Sequence, residues 1–291
     1  DFVATGSLSG HIGPLPDLAS ALSSLSNPAP SVSSFGPGFG PVGMFVTVTG
    51  QNFVGATKVT FNGLSAPFTI YSASTLVAVV PTEATDGAIR VLNTTGGTPS
   101  QTAFDVRPGK VVTMQDNVFS PSLVAISPGQ TVAWNNRDSI NHSVVESIGL
   151  GTGGAALFDS GLMGQSASFV VVRNAAGRYP YESAGDEPGP MSGTINVAVL
   201  ASPTSGSTAT AFTITWAAPS PSGYAYQVQR RFRTVGGSWS AWSNYRNQVT
   251  SLRASFVPDK GVGDYAFRSR LLNVNTGAKS LYSKQRVLQV R

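Results

Sequence analysis

The chain has no cysteine, two histidines and 14 carboxylates with which to hold a metal or move a proton. The missing thiols exclude disulfides, thiolate metal sites, cysteine nucleophiles and iron–sulfur clusters together. His11 and His142 lie in different segments, and no serine sits in a nucleophile-elbow context. Neither a phosphate-binding loop nor a dinucleotide fingerprint occurs, and Gly36-Pro37-Gly38-Phe39-Gly40, lacking a following lysine and helix, reads as a loop. The carboxylates are scattered and nominate no glycosidase pair. These residue types point away from catalysis. A different chemistry is suggested late in the chain, where Trp239-Ser240-Ala241-Trp242-Ser243 is accompanied by Arg230, Arg231, Arg233, Arg268 and Arg270 on strand-like segments. A guanidinium stacked on an indole is worth roughly 0.5–2 kcal/mol. The pattern predicts a stabilising arginine–tryptophan ladder on one sheet face, with a platform for sugar rings or a partner surface as its functional alternative.

The elements that would position these groups are β-strands. Of 291 residues, 41% are apolar, enough for packed cores, and 11% are charged, less than half the roughly 25% of an average soluble domain. No apolar run reaches the ~18 residues that a membrane-spanning helix needs. Residues 1–201 carry a net charge of −5 and residues 202–291 a net +10, within a total of +5. That asymmetry predicts either attraction between neighbouring copies or an anionic polymer on the basic end, against the plainer reading of a solvated basic face. No RNA- or DNA-binding motif supports a nucleic-acid partner. The chain begins at Asp1 without a basic, apolar, small-residue leader pattern. The expectation is a mature extracellular or cell-surface chain whose signal peptide has been removed.

Along the chain, residues 1–30 read as an extension. Asp17 caps a short amphipathic helix over 17–25, with Leu18, Ala21, Leu22 and Leu25 on one face. Residues 31–107 alternate as strands, and Val59-Thr60-Phe61 followed by Asn62-Gly63 is a hairpin signal. Residues 108–200 hold further strands separated by Pro128-Gly129, Gly151 to Gly154 and Pro188-Gly189, a spacing that suits an eight-stranded Greek-key sandwich. In residues 201–291, Phe212, Ile214 and Trp216 alternate, as do Tyr226, Val228 and Arg230, and Tyr265, Phe267, Ser269 and Leu271. The segments 107–110 and 199–205 read as short linkers.

Three family resemblances follow these segments. The first, carried by Val46 to Phe53, Val59 to Gly63, Val80-Pro81 and Gly87 to Val91, resembles the IPT/TIG immunoglobulin-like family, which implies a non-catalytic spacer, adhesion or dimerisation module. The second resembles the cupredoxins of the plastocyanin and azurin family. Its residues are Asp116 to Pro121, Pro128 to Asn136, Asn141-His142-Ser143-Val144, Phe158 to Gly161, Gly177 to Tyr181 and Pro188 to Ile195. A blue-copper cage needs two histidines, a cysteine and a weak axial methionine. The resemblance places His142 at the first histidine, Met191 at the axial methionine, Glu182 at the cysteine and Glu187 at the second histidine. Without a thiolate, the electron-transfer function does not carry over. His142, Glu182 and Glu187, with Asp186 adjacent, imply at most weak uptake of a harder divalent ion, and otherwise a vestigial cage with no cofactor. The third resembles a fibronectin type III domain, with Trp216 as its core tryptophan, Tyr265 starting its sixth strand and Tyr282-Ser283 its last. Trp239 to Ser243 is also similar to the Trp-Ser-any-Trp-Ser box of cytokine receptors, although here it precedes Tyr265. Of two glycosylation sequons, Asn93 is the better candidate, because Asn141 adjoins the packed His142 site.

The reading is therefore an all-β protein of three β-sandwich domains in series: extension 1–30, Ig-like 31–107, degenerate cupredoxin 108–200 and fibronectin type III-like 201–291. The expected role is a non-catalytic structural or adhesion protein, such as a subunit of a surface appendage, filament or layer. Its partners would be copies of itself or cell-surface polymers. The alternatives are a metal-binding or redox protein built on His142, Glu182, Glu187 and Met191, a polysaccharide-binding module built on Trp239, Trp242, Arg230, Arg233, Arg268 and Arg270, and a phage or virion surface protein.

Overall fold

A computed structural model describes residues 27–183, 191–219 and 222–291. The expected helix over 17–25 lies outside them. The described chain is all-β, and its six sheets pair into three sandwiches. No helix among the described residues is long and apolar enough to cross a membrane.

The N-terminal sandwich packs the sheet Ser31–Gly36, Phe45–Gln51, Thr75–Val79, Phe68–Ile70 against a second ordered Phe39–Gly40, Pro99–Val106, Gly87–Leu92, Lys58–Phe61, Leu64–Ala66. Inward residues at every second position, among them Val46, Val48, Val59 and Phe61, are fully buried in its core. Asn62 and Gly63 close the expected hairpin with φ of 46° and 85°, the paired positive values that a tight two-residue turn demands. Gly50 is required for a different reason: a Cβ there would collide with the Ser31 carbonyl oxygen and the Phe53 ring.

The middle sandwich has two four-stranded sheets, ordered Val118–Ser120, Gly109–Gln115, Gln130–Asn136, Ser168–Arg173 and Leu123–Ile126, Ser192–Val197, Gly177–Glu182, Val145–Glu146. Each contains one parallel pair, Gly109–Gln115 with Gln130–Asn136 and Leu123–Ile126 with Ser192–Val197. Trp134 sits at the centre, 5.2 Å from Tyr181 in an edge-to-face contact and 5.9 Å from both Phe158 and Phe169. The C-terminal sandwich packs Leu200–Ser202, Phe212–Thr215, Arg253–Phe256 against Ser205–Gly206, Arg286–Val290, Gly263–Asn273, Tyr224–Arg233, Ser243–Val249. Its Trp216 is fully buried, and the Tyr265 hydroxyl accepts from Lys260 N–H while donating to the Gly261 carbonyl.

The expected linkers are nearly absent. Only Arg107 and Pro108 separate strand Pro99–Val106 from strand Gly109–Gln115, and Leu200–Ser202 follows Ser192–Val197 after two residues. At the first joint the buried Asn135 amide stands in for a strand. Its Oδ1 accepts Phe45 N–H at 3.0 Å and its Nδ2 donates to Gly43 O at 2.9 Å. At the second joint, Ala176 N–H donates to Trp216 O at 2.7 Å, and Arg178 and Leu281 exchange backbone bonds of 2.9 and 3.1 Å. One continuous core runs from Trp134 through Trp216 to Leu288.

A loop of the middle module completes that second joint. Glu146, nearly fully buried, accepts N–H bonds from Ile148, Gly149, Leu150 and Leu157. The loop so shaped presents the Leu150 and Gly151 carbonyls to Asn273 Nδ2 at 3.0 and 2.9 Å, while Asn273 Oδ1 accepts from Asn275 and Thr276. Replacing Asn273 by alanine removes both bonds across the joint and the two that order the 275–276 turn, leaving Leu150 O to the Tyr224 hydroxyl and Gly151 O to Gly154 N–H. Asn273→Ala is therefore expected to lower the unfolding free energy by about 2–3 kcal/mol in a denaturant titration. A change indistinguishable from that of an exposed substitution would show that the joint does not carry this load.

Candidate functional site

His142 is fully buried, and its imidazole is held by a network drawn from three separate turns. Its Nε2 lies 2.7 Å from Asp138 Oδ2. A carboxylate only accepts, so this nitrogen carries the proton, and in the neutral ring Nδ1 is the acceptor nitrogen. Asp138 also receives the N–H groups of Asp116 at 2.9 Å and Asn117 at 3.3 Å, residues whose φ values of 54° and 57° curl the turn toward it. Asn136 braces the same region, donating to the Ile140 and Met163 carbonyls and accepting Asp138 N–H. Burial alone would raise the Asp138 carboxyl, but the Asp116 N–H, the His142 imidazole and the Asn117 N–H outweigh it and hold it below its ordinary 3.8.

Of the described residues expected to form a cage, Glu182 turns away from the other two. Tyr179 and Tyr181 point inward from strand Gly177–Glu182, while Arg178 and Glu182 point outward; Glu182 is solvent-exposed. The buried position beside His142 is instead Ser183, whose Oγ accepts Ser143 N–H at 2.8 Å. Glu182 therefore does not take the inward place that the cysteine role requires. The inward residue is one position further on, and on a strand one residue reverses the face. Met191 is buried in the same core, and its carbonyl accepts Ser183 N–H. Glu187 and Asp186 lie outside the described residues. Among the described residues, no three histidine or carboxylate groups converge on one point. A hydroxyl where the thiolate would stand and an averted carboxylate do not fit a blue-copper centre.

The second cluster is brought together as a ladder. Strands Tyr224–Arg233 and Gly263–Asn273 pair so that, on one face, Gln227 opposes Arg270, Gln229 opposes Arg268, Arg231 opposes Ala266 and Arg233 opposes Asp264. Gln227 and Gln229 accept from Arg270 and Arg268 at 2.6–2.9 Å, Asp264 pairs with Arg233 at 2.8 Å, and Arg231 reaches Gln285 instead. Fixed in this way, the guanidiniums alternate with rings: Arg233 and Arg231 lie over Trp239 at 4.5 and 4.6 Å, and Arg231 and Arg268 lie over Trp242 at 4.5 and 4.2 Å. Arg268 and Arg270 then cover Tyr282 at 4.3 and 4.4 Å. Ser240 and Ser243 place the indoles, since Ser240 exchanges bonds with the Phe232 backbone and Ser243 Oγ donates to Arg230 O. Burial, relieved in part by Tyr282, lowers the Arg268 pKa, and its like-charged neighbours Arg231 and Arg270 lower it further.

Arg230 does not belong to this face. It points the other way, bonding Asp259 through Nη1 at 2.9 Å above Tyr245 and Phe256. Sequence reasoning missed Tyr282 and the glutamines, whose signal was the alternation Gln227, Gln229, Arg231, Arg233. Asn93 is also reassigned. It is 8% exposed, and its Nδ2 is committed to the Asn27 and Pro28 carbonyls at 3.2 and 2.9 Å, which leaves no room for a glycan. Of the two sequon asparagines, Asn141 is the exposed one.

Residues 30–106 match a family model described as the IPT/TIG domain. Among solved structures, the chain is similar to a purple cupredoxin from Nitrosopumilus maritimus, at 22% identity over 31% of this chain and 99% of that one, with a TM-score of 0.26. It is also similar to the reduced state of a point mutant of amicyanin, at 26% identity over 31% of this chain and 81% of that one, with a TM-score of 0.27. No curated protein matches the chain.

Two outcomes follow from this geometry. A carboxyl with a depressed native pKa stabilises the fold above its unfolded value, and the gain disappears as pH falls through the native one. The stability difference between wild type and Asp138→Asn is therefore expected to shrink as the pH is lowered below about 3.8; a difference independent of pH would exclude the charge of Asp138 as its source. Removing the central rung by Trp242→Ala breaks two guanidinium contacts and is expected to cost about 1–3 kcal/mol. Trp242→Phe should recover part of that loss in the same thermal melts.

Proposed function

We propose that this is a non-catalytic structural or adhesion protein of the cell exterior, working as a stiff three-module building block. Residues 30–106 supply an IPT/TIG module, a type that is non-enzymatic as a rule. The middle module reads as a cupredoxin-like sandwich whose interior holds a His142–Asp138 pair beside a Ser143–Ser183 bond, and the last as a fibronectin type III-like sandwich. The parallel pairs at Gly109–Gln115 and Leu123–Ile126 support the former, and buried Trp216 with the bonded Tyr265 hydroxyl supports the latter. The observation that carries the reading is the fusion of the modules: backbone bonds and one shared core cross the second joint, and Asn135 clamps the first. Solution scattering should give a single maximum dimension that is unchanged by salt. A distribution of lengths characteristic of hinged domains would refute the building-block role.

The ladder favours a second, compatible reading as a contact for an anionic polymer. Arg231, Arg268 and Arg270 are met by neutral glutamine oxygens, and among the described residues no carboxylate pairs with them. The expected result is salt-sensitive retention on an acidic-polysaccharide column that Arg268→Gln/Arg270→Gln weakens, because surface charge attraction is screened over about 8 Å at physiological ionic strength. Retention on neutral glycan lost in Trp239→Ala would instead indicate ring stacking against sugars.

A further inference from the structure

The second joint encloses a cavity of about 340 Å³ between the middle and C-terminal sandwiches. Arg173, the last residue of strand Ser168–Arg173, lines it from the middle module, and Tyr224 and Leu271 line it from the other. The surroundings of this arginine are unusual for a partly buried cation. Its Nε donates to its own neighbour, Val172 O, at 2.7 Å, and its guanidinium covers Phe158 at 5.2 Å. Among the described residues no carboxylate lies within ion-pairing distance. The nearby Glu146 carboxylate is saturated by four backbone N–H groups. The two Nη groups are thus left without an acceptor among the described residues, and burial pulls this guanidinium below its ordinary pKa. The arginine is half-buried, and a carboxylate entering the cavity would be a stronger acceptor for its Nη groups than water.

The remaining lining defines what that acceptor would be. Thr152 and Ser222 contribute hydroxyls at the exposed rim, while Leu157 and Leu271 supply apolar walls. The hydroxyls of Tyr179 and Tyr224 already donate to the Ala175 and Leu150 carbonyls, so those residues present ring surface. Arg173 is the one cation in a chamber whose other polar lining, Thr152, Asn174 and Ser222, is neutral. A planar guanidinium fork matches a carboxylate through two parallel N–H···O bonds.

We infer that the cavity between the second and third modules is a binding site for a small organic carboxylate with a compact apolar or aromatic body, its carboxylate held by Arg173. Such a ligand touches both modules and stabilises the joint by mass action. The inference is independent of the building-block role, since a rigid joint needs no ligand.

The test uses the full chain with benzoate and its neutral analogue benzyl alcohol, read by isothermal titration and by hydrogen exchange. Benzoate is expected to bind and to slow exchange of amides in 173–175 and 222–224, with the alcohol at least about tenfold weaker, as for a charge-assisted against a neutral contact. Arg173→Met should abolish benzoate binding, and Arg173→Lys, which keeps the charge but not the fork, should weaken it. If Arg173→Met does not fold, the rim pair Thr152→Val/Ser222→Ala serves in its place and should weaken binding several-fold. Equal binding of the alcohol, benzoate binding that survives these substitutions, or no protection at the cavity would each overturn the assignment.

Discussion

Everything in this structure depends on how backbone polar groups are satisfied where one sandwich ends and the next begins. An unpaired buried N–H or C=O costs as much as a lost hydrogen bond, so a sandwich end is either solvated or paired. Here the neighbouring module supplies the pairing. Ala176 bonds Trp216, Arg178 exchanges bonds with Leu281, and Asn196 accepts Lys284 N–H at 2.7 Å. The side chains around these bonds then have nowhere to go but a common core, which is why Trp216 is as buried as Trp134 although it lies at a domain boundary. Stiffness follows directly. Relative motion of the last two modules would break backbone bonds and expose shared apolar surface at once.

The same economy governs the buried polar residues. Asp138, Asn136, Asn135, Glu146 and Asn273 each bond main-chain groups that no strand reaches. They act as side-chain replacements for missing β-pairing. His142 belongs to that class: its ring spans from Asp138 to the inner wall, and its main chain bonds Met163 in both directions. Asp138, Asn136 and Ser183 are thus occupied with neighbouring turn and strand-end groups. Reactive potential lies on surfaces and between modules, in the glutamine-bonded guanidiniums of the ladder and in the open fork of Arg173.

Strand periodicity explains which of these features are legible in the sequence. Arg231 and Arg233, and Arg268 and Arg270, are two apart, so they share a face wherever their strands pair, and the tryptophans three apart are recognisable as their partners. Arg230, one residue away, joins them in a sequence reading because a run of basic residues hides its own alternation. Glu182 misleads for the same reason in reverse. A slip of one position beyond Tyr181 exchanges an exposed carboxylate for the buried Ser183 hydroxyl. Asn93 looks free in a sequon, and only the approach of the Asn27-Pro28 segment from 65 residues away occupies its amide.

By itself the sequence determined what short-range physics can determine. Alternating apolar residues made all-β sandwiches, Asn62-Gly63 made a hairpin, the absence of cysteine removed the soft copper chemistry, and the late excess of arginine made one end basic. Tertiary structure decided whatever depends on groups distant along the chain meeting at a joint. The Asn135 clamp, the loop held by Glu146 for Asn273, and the chamber that isolates Arg173 from any described carboxylate arise only when separate modules are pressed together. No local pattern encodes them, because each partner is an ordinary loop or strand-end residue until the other arrives.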